Sequence, residues 1–116
     1  MSDAIHKSLD RLSRVRGVSG SMFVASDDGL AVAQLLMEGI NAKALAAFAA
    51  SLARKVSGAA AATGAGPVKF IQMQSAGGIL LVCTGGDLLV AVVAEAGLNV
   101  GLARLEMMRA MEQART

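Results

Sequence analysis

The 116-residue sequence predicts an α/β domain of the α+β type: a three-layer sandwich in the order α-β-β-α-β-β-β-α around one five-stranded antiparallel sheet. Three observations predict it. Five short runs rich in Val, Leu, Ile and Phe are separated by Gly- and Asp-bearing turns or by a helix, and the tight turns demand antiparallel pairing. Two of these runs, 79–84 and 88–94, are almost continuously apolar, as strands covered on both faces are. Three further stretches carry helical periodicity, so the long second helix is expected on one face of the sheet, with the first and last on the other.

The elements follow in order. Over 2–15, Ile5, Leu9, Leu12 and Val15 recur at helical spacing, with Lys7, Arg11 and Arg14 opposite and Asp10 four residues before Arg14. Gly17 and Gly20 end that helix. Strands 21–26 and 30–36 flank Asp27-Asp28-Gly29, a hairpin signal. Asn41 is an N-cap candidate for a helix over 42–63, which Gly64-Ala65-Gly66-Pro67 terminates. A meander of strands 68–74, 79–84 and 88–94 follows, turning at Ser75-Ala76-Gly77-Gly78 and Gly85-Gly86-Asp87. Asn99 caps a last helix to about 114, with Leu98, Leu102, Leu105 and Met108 expected toward the sheet.

Length and composition bound the function. A chain of this size makes one domain, 1–116, and 54% hydrophobic against 17% charged residues excludes disorder. The apolar excess suggests burial against a partner. A formal net charge of +2, scattered along the chain, and an aromatic content of three Phe argue against nucleic acid as a partner. A single cysteine leaves no disulfide or multi-cysteine zinc site. The start of the chain lacks a signal-peptide core, and the uncharged stretch 70–86 is broken by Gln and Gly. No membrane insertion and a cytoplasmic location are therefore expected.

The long helix carries two stripes. Leu45, Phe48, Ala49, Leu52, Val56 and Ala59 form the expected core face. Beside it Ala46, Ala50, Ala53, Ser57, Ala60 and Gly64 are all small and spaced alternately by four and three. That is either a close helix–helix seam with a second copy about a two-fold axis or simply alanine's helix propensity. Strand 68–74 is expected at a sheet edge, where Phe70, Ile71 and Met73 invite pairing with another copy and Lys69 alone opposes it. The sequence thus predicts a homodimer through Ala46, Ala50, Ala53, Ser57, Ala60, Phe70, Ile71 and Met73.

The run from Val15 to Ala33, with Gly17-Val18-Ser19-Gly20 leading into a small-apolar strand and Asp28-Gly29-Leu30 opening the next, resembles the first hairpin of the roadblock family. This is the domain of roadblock-type dynein light chains and of bacterial and archaeal partners of Ras-like GTPases. The run Gly85 to Val93 and Asn99-Val100-Gly101-Leu102-Ala103-Arg104 are similar too. The resemblance implies a dimer with a ten-stranded sheet and paired long helices. It also implies a non-catalytic scaffold or regulatory subunit whose partner is a Ras-like small GTPase.

Catalytic chemistry is sparse. Gly64 to Lys69 matches no phosphate-binding loop and precedes a strand. His6 has no nucleophile or carboxylate near it in sequence, Asp27 and Asp28 suit a turn, and Cys83 reads as a small core residue. No catalytic, cofactor-binding or metal-ligating residue is assigned, and no cofactor is expected. Val100, Arg104, Met107 and Met111 form a second flank of the last helix, read either as a partner surface or as a widened core face. The competing function is a small-molecule sensor with a pocket between sheet and helices, against which the few polar residues of the strands count.

Overall fold

In a computed structural model that describes residues 2–115, the elements follow the expected order. They are α1 (Ser2–Ser13), β1 (Val18–Ala25), β2 (Ala31–Leu36), α2 (Ala42–Ala62), β3 (Phe70–Ser75), β4 (Gly78–Gly85), β5 (Leu88–Ala94) and α3 (Val100–Arg115). The strands form one antiparallel sheet in the order β2-β1-β5-β4-β3, so β2 and β3 are its edges.

Local chemistry sets the boundaries. Asn41 accepts a hydrogen bond from the Ala44 amide (3.0 Å) at the start of α2, and Asn99 accepts one from Leu102 (3.0 Å) at the start of α3. The Asp28 carboxylate accepts from the Leu30 amide at 3.1 Å, the side-chain turn that Asp supports before Gly29, whose φ is 70°. Gly78 opens β4 at φ 146°, and a Cβ there would stand 2.5 Å from the Ala94 carbonyl oxygen, so only glycine fits this crossing of β4 and β5.

The core is double. On one face of the sheet, Leu9 and Leu12 of α1 and Ala103, Met107 and Ala110 of α3 close over Phe23, Leu81, Val90 and Val92. On the other, Ala46, Ala49, Ala50 and Ala53 of α2 close over Met22, Val24, Val82 and Leu89. The two helices of the first face are also joined by Ser8 and Arg11, whose side chains both donate to Gln113 Oε1, at 3.0 and 3.2 Å.

Two helices turn a different face to the sheet from the one expected, α3 almost wholly and α2 in part. In α2 the small-residue stripe lies on the sheet: Ala46, Ala50 and Ala53 are buried within the single chain, and of the expected core face only Ala49 is fully buried, with Leu45, Leu52 and Val56 half-buried at its flank, Phe48 47% exposed and Ala59 in solvent. In α3 the residues toward the sheet are Ala103, Met107, Ala110, Met111 and Ala114, while Leu102, Leu105 and Met108 are about half exposed; Leu98 is buried as expected. The reason is steric. The strands already supply bulky side chains, so a helix lying close above them has room beneath its axis chiefly for methyl groups and pliable methionines. Larger side chains are displaced to the flanks. Ranking residues by hydrophobicity therefore selects the wrong stripe when both stripes are apolar.

Candidate functional site

One unfilled demand lies where α2 meets the β3 edge. Neither α2 nor α3 is centred over β3, and that strand has β4 on one side only. Its alternation sends Ile71 and Met73 toward the α2 layer and Phe70 toward α3. Leu45 and Phe48 lean from the flank of α2 over Met73, Leu80 and Val93, leaving a shallow apolar groove of about 220 Å³. Leu52 and Val56 continue the stripe and are half-buried.

This arrangement divides the residues expected at a dimer contact. Phe70, Ile71 and Met73 do stand on an edge strand. Ala46, Ala50 and Ala53 do not face outward, because they seat α2 on its own sheet. Ser57 is exposed and Ala60 half-exposed at the far end of the helix. Leu45, Phe48, Leu52 and Val56, assigned to the core from sequence, form the outward apolar flank. Their signal in the sequence was size: bulky side chains on a helix whose other stripe is uniformly small.

The flank of α3 divides as well. Met107 and Met111 are buried in the core, which removes them from any surface of the chain, and Val100 is half-buried against the same cluster. Arg104 is outside, its guanidinium carbon 5.0 Å from the centre of the Phe70 ring. It borders a groove of about 380 Å³ between α3 and the start of β3, floored by Cys83 and Met111 and closed at its far end by Arg115. Beside it Gly85 leaves room for the ends of the Met111 and Arg115 side chains, since a Cβ there would lie 2.1 Å from Met111 Cε and 3.2 Å from Arg115 Nη2 and both ends would have to shift. Burial raises the Cys83 thiol above its ordinary pKa, against the opposing pull of the Arg104 and Arg115 charges. Cys83 is thus a protonated, inert thiol at neutral pH.

His6 is exposed on α1, and Asp27 and Asp28 are exposed in the hairpin turn. Among the described residues no cluster of His, Cys, Asp and Glu is disposed to hold a metal ion, and no helix is long and apolar enough to cross a membrane. What converges on the α2–β3 face is apolar area beside an unpaired strand, and such a face does its chemistry by association.

Comparison with known proteins agrees with this architecture, and the model of the Roadblock/LC7 domain matches residues 5–94. The chain belongs to the Roadblock/LC7 family. Among curated relatives of this Roadblock/LC7 protein, the uncharacterized protein MJ1340 of Methanocaldococcus jannaschii is 30% identical over 109 residues, covering 94% of this chain and 95% of that one. Among solved structures, a Roadblock/LC7 domain from Streptomyces avermitilis superposes with a TM-score of 0.86 at 22% identity, covering 94% of this chain and 92% of the other. Myxococcus xanthus MglB also superposes at 0.86, with 19% identity over 97% of this chain and 85% of its own. These similarities establish the three-layer fold with five antiparallel strands.

Proposed function

We propose that this Roadblock/LC7 domain is a non-catalytic regulatory scaffold that works as a homodimer and binds a Ras-like small GTPase. The observation that carries the reading is the α2–β3 face: an unpaired strand flanked by the exposed Phe48 ring and the half-buried Leu45, Leu52 and Val56. Antiparallel pairing of β3 with its copy continues the sheet and sets the two α2 flanks side by side, covering both the strand edge and the apolar row at once. Lys69 is the only charged residue between 67 and 77, and an antiparallel pair centred near Gln72 sets the two copies of Lys69 at opposite ends of the ladder.

A surface of this kind regulates by presenting shape. The GTPase supplies its own phosphate-binding and catalytic groups, and the scaffold biases the order of its switch loops. The location that suits such work is the cytoplasm, with neither nucleic acid nor membrane insertion involved. The test is light scattering of the purified chain followed by GTP hydrolysis by the small GTPase that co-purifies with it. The expected results are a mass twice 11.7 kDa and a hydrolysis or exchange rate that changes on addition of the dimer. A monomer at micromolar concentration, or a dimer that neither binds the GTPase nor alters its rate, overturns the reading.

A further inference from the structure

The other edge of the sheet makes a separate demand. Of the eight large apolar side chains that the described residues expose, four lie on β2 or immediately beside it: Leu30, Val32, Leu35 and Met37. The strand itself, AVAQLL, is uncharged, and the whole stretch 27–38 contains no Lys, Arg or Pro, residues with which proteins commonly blunt an open edge; the pairing with β1 breaks register at Val32, which leaves 33–36 as the regular part of the edge. Its charges are Asp27 and Asp28 at one end and Glu38 at the other, all exposed. Below the strand, Asp10, Ser13, Leu35 and Met37 border a groove of about 420 Å³ between α1 and the edge.

The hydrogen-bonding groups of this edge are assigned by the ladder. The Met37 amide donates to the Ser19 carbonyl, and β2 runs in register with β1 from Gly20↔Leu36 to Phe23↔Ala33. Antiparallel alternation then turns Leu35 and Ala33 toward β1 and leaves the N–H and C=O of Gln34 and Leu36 directed outward.

We infer that this edge takes up an extended segment of a partner protein as an added strand, one whose residues alternate apolar and polar and whose ends carry Lys or Arg. Charge decides between occupants. A second copy pairing here about a two-fold axis near Ala33 and Gln34 would set Asp27 and Asp28 against Glu38 of its partner, acid beside acid at both ends. A foreign strand with basic ends meets an acid at each end and places its apolar side chains on the Ala33 face of the edge, against Leu35 and Met37 beside the α1 groove. The two edges thus divide their labour, β3 for the chain's own copy and β2 for a different chain. The β2 reading does not depend on the pairing of β3.

The probe is the labelled peptide KKVTITVKK, with EEVTITVEE as its control, titrated with the full chain and followed by fluorescence anisotropy and by amide exchange at Gln34 and Leu36. Expected are saturable binding, slowed exchange at both amides, and affinity at least about tenfold lower for the acidic peptide at low salt. Gln34→Pro removes an outward amide without costing a bond to β1 and is expected to weaken binding at least about tenfold. Leu35→Ser, which leaves the backbone free, is expected to weaken it less. The inference is overturned by absence of saturable binding, by binding that both variants leave unchanged, or by assembly beyond a dimer that Gln34→Pro abolishes, since that last result makes a second copy the occupant.

Discussion

Substitution at two neighbouring positions of α2 separates the face that builds the fold from the face that builds the assembly. Ala50 is 1% exposed, in the layer between α2 and the sheet and beside Gly29 of the β1–β2 turn. Leucine there forces an isobutyl group between α2 and the strands it packs on, at a cost of about 1–3 kcal/mol. At about 4 °C per kcal/mol for a chain of this length, the melting temperature falls by about 4–12 °C. Phe48 has nearly half its ring in solvent, so Phe48→Glu costs the isolated chain no more than about 1 kcal/mol, but it places a charge in each half of an apolar contact. The assay combines circular dichroism melts over a range of protein concentrations with light scattering. Ala50→Leu lowers the melting temperature at every concentration. Phe48→Glu halves the scattering mass and removes the concentration dependence that a dimer imposes on melting. If Ala50→Leu halves the mass with melting intact while Phe48→Glu changes neither, the small stripe is the outer seam and the orientation of α2 argued above is wrong.

Further substitutions probe the core and its chemistry. Gly78→Ala drives a methyl group toward the Ala94 carbonyl at positive φ and should destabilise by about 2 kcal/mol or more, read as a lower urea midpoint. Ser21→Ala removes a fully buried hydroxyl that has no hydrogen-bond partner and should raise stability by up to about 1 kcal/mol in the same titration. The Cys83 thiol binds its proton more tightly folded than unfolded, so its contribution is complete below the ordinary thiol pKa of 9.0 and is lost as pH rises through the folded value. Urea midpoints measured upward from pH 9.0 should therefore decline more in the wild type than in Cys83→Ala, a difference with no tyrosine to confuse it. Equal slopes would place the thiol in contact with solvent.

How much of the fold was legible in the sequence depends on the range of the forces involved. Turns and caps are set by residues that touch their own neighbours: Asp28 before Gly29, Asn41 at the start of α2 and Asn99 at the start of α3 each act over two or three residues. Strand pairing by tight turns is equally local, and apolar runs such as Ile79 to Cys83 announced strands covered on both sides. Order of elements, antiparallel pairing and the edge position of β3 therefore follow from sequence alone. The facing of α2 and α3 does not. Each carries two apolar stripes, and both turn the one with small or flexible side chains inward, because the volume left beneath a helix is determined by side chains that other strands contribute. That volume exists only after the layers have met; it selects the core for Met107 and Met111, one of the two readings their sequence left open, and moves Phe48 from core to surface. The openness of β2 is likewise a tertiary fact: Leu30, Val32, Leu35 and Met37 read as ordinary strand residues until the sheet order leaves nothing beyond them.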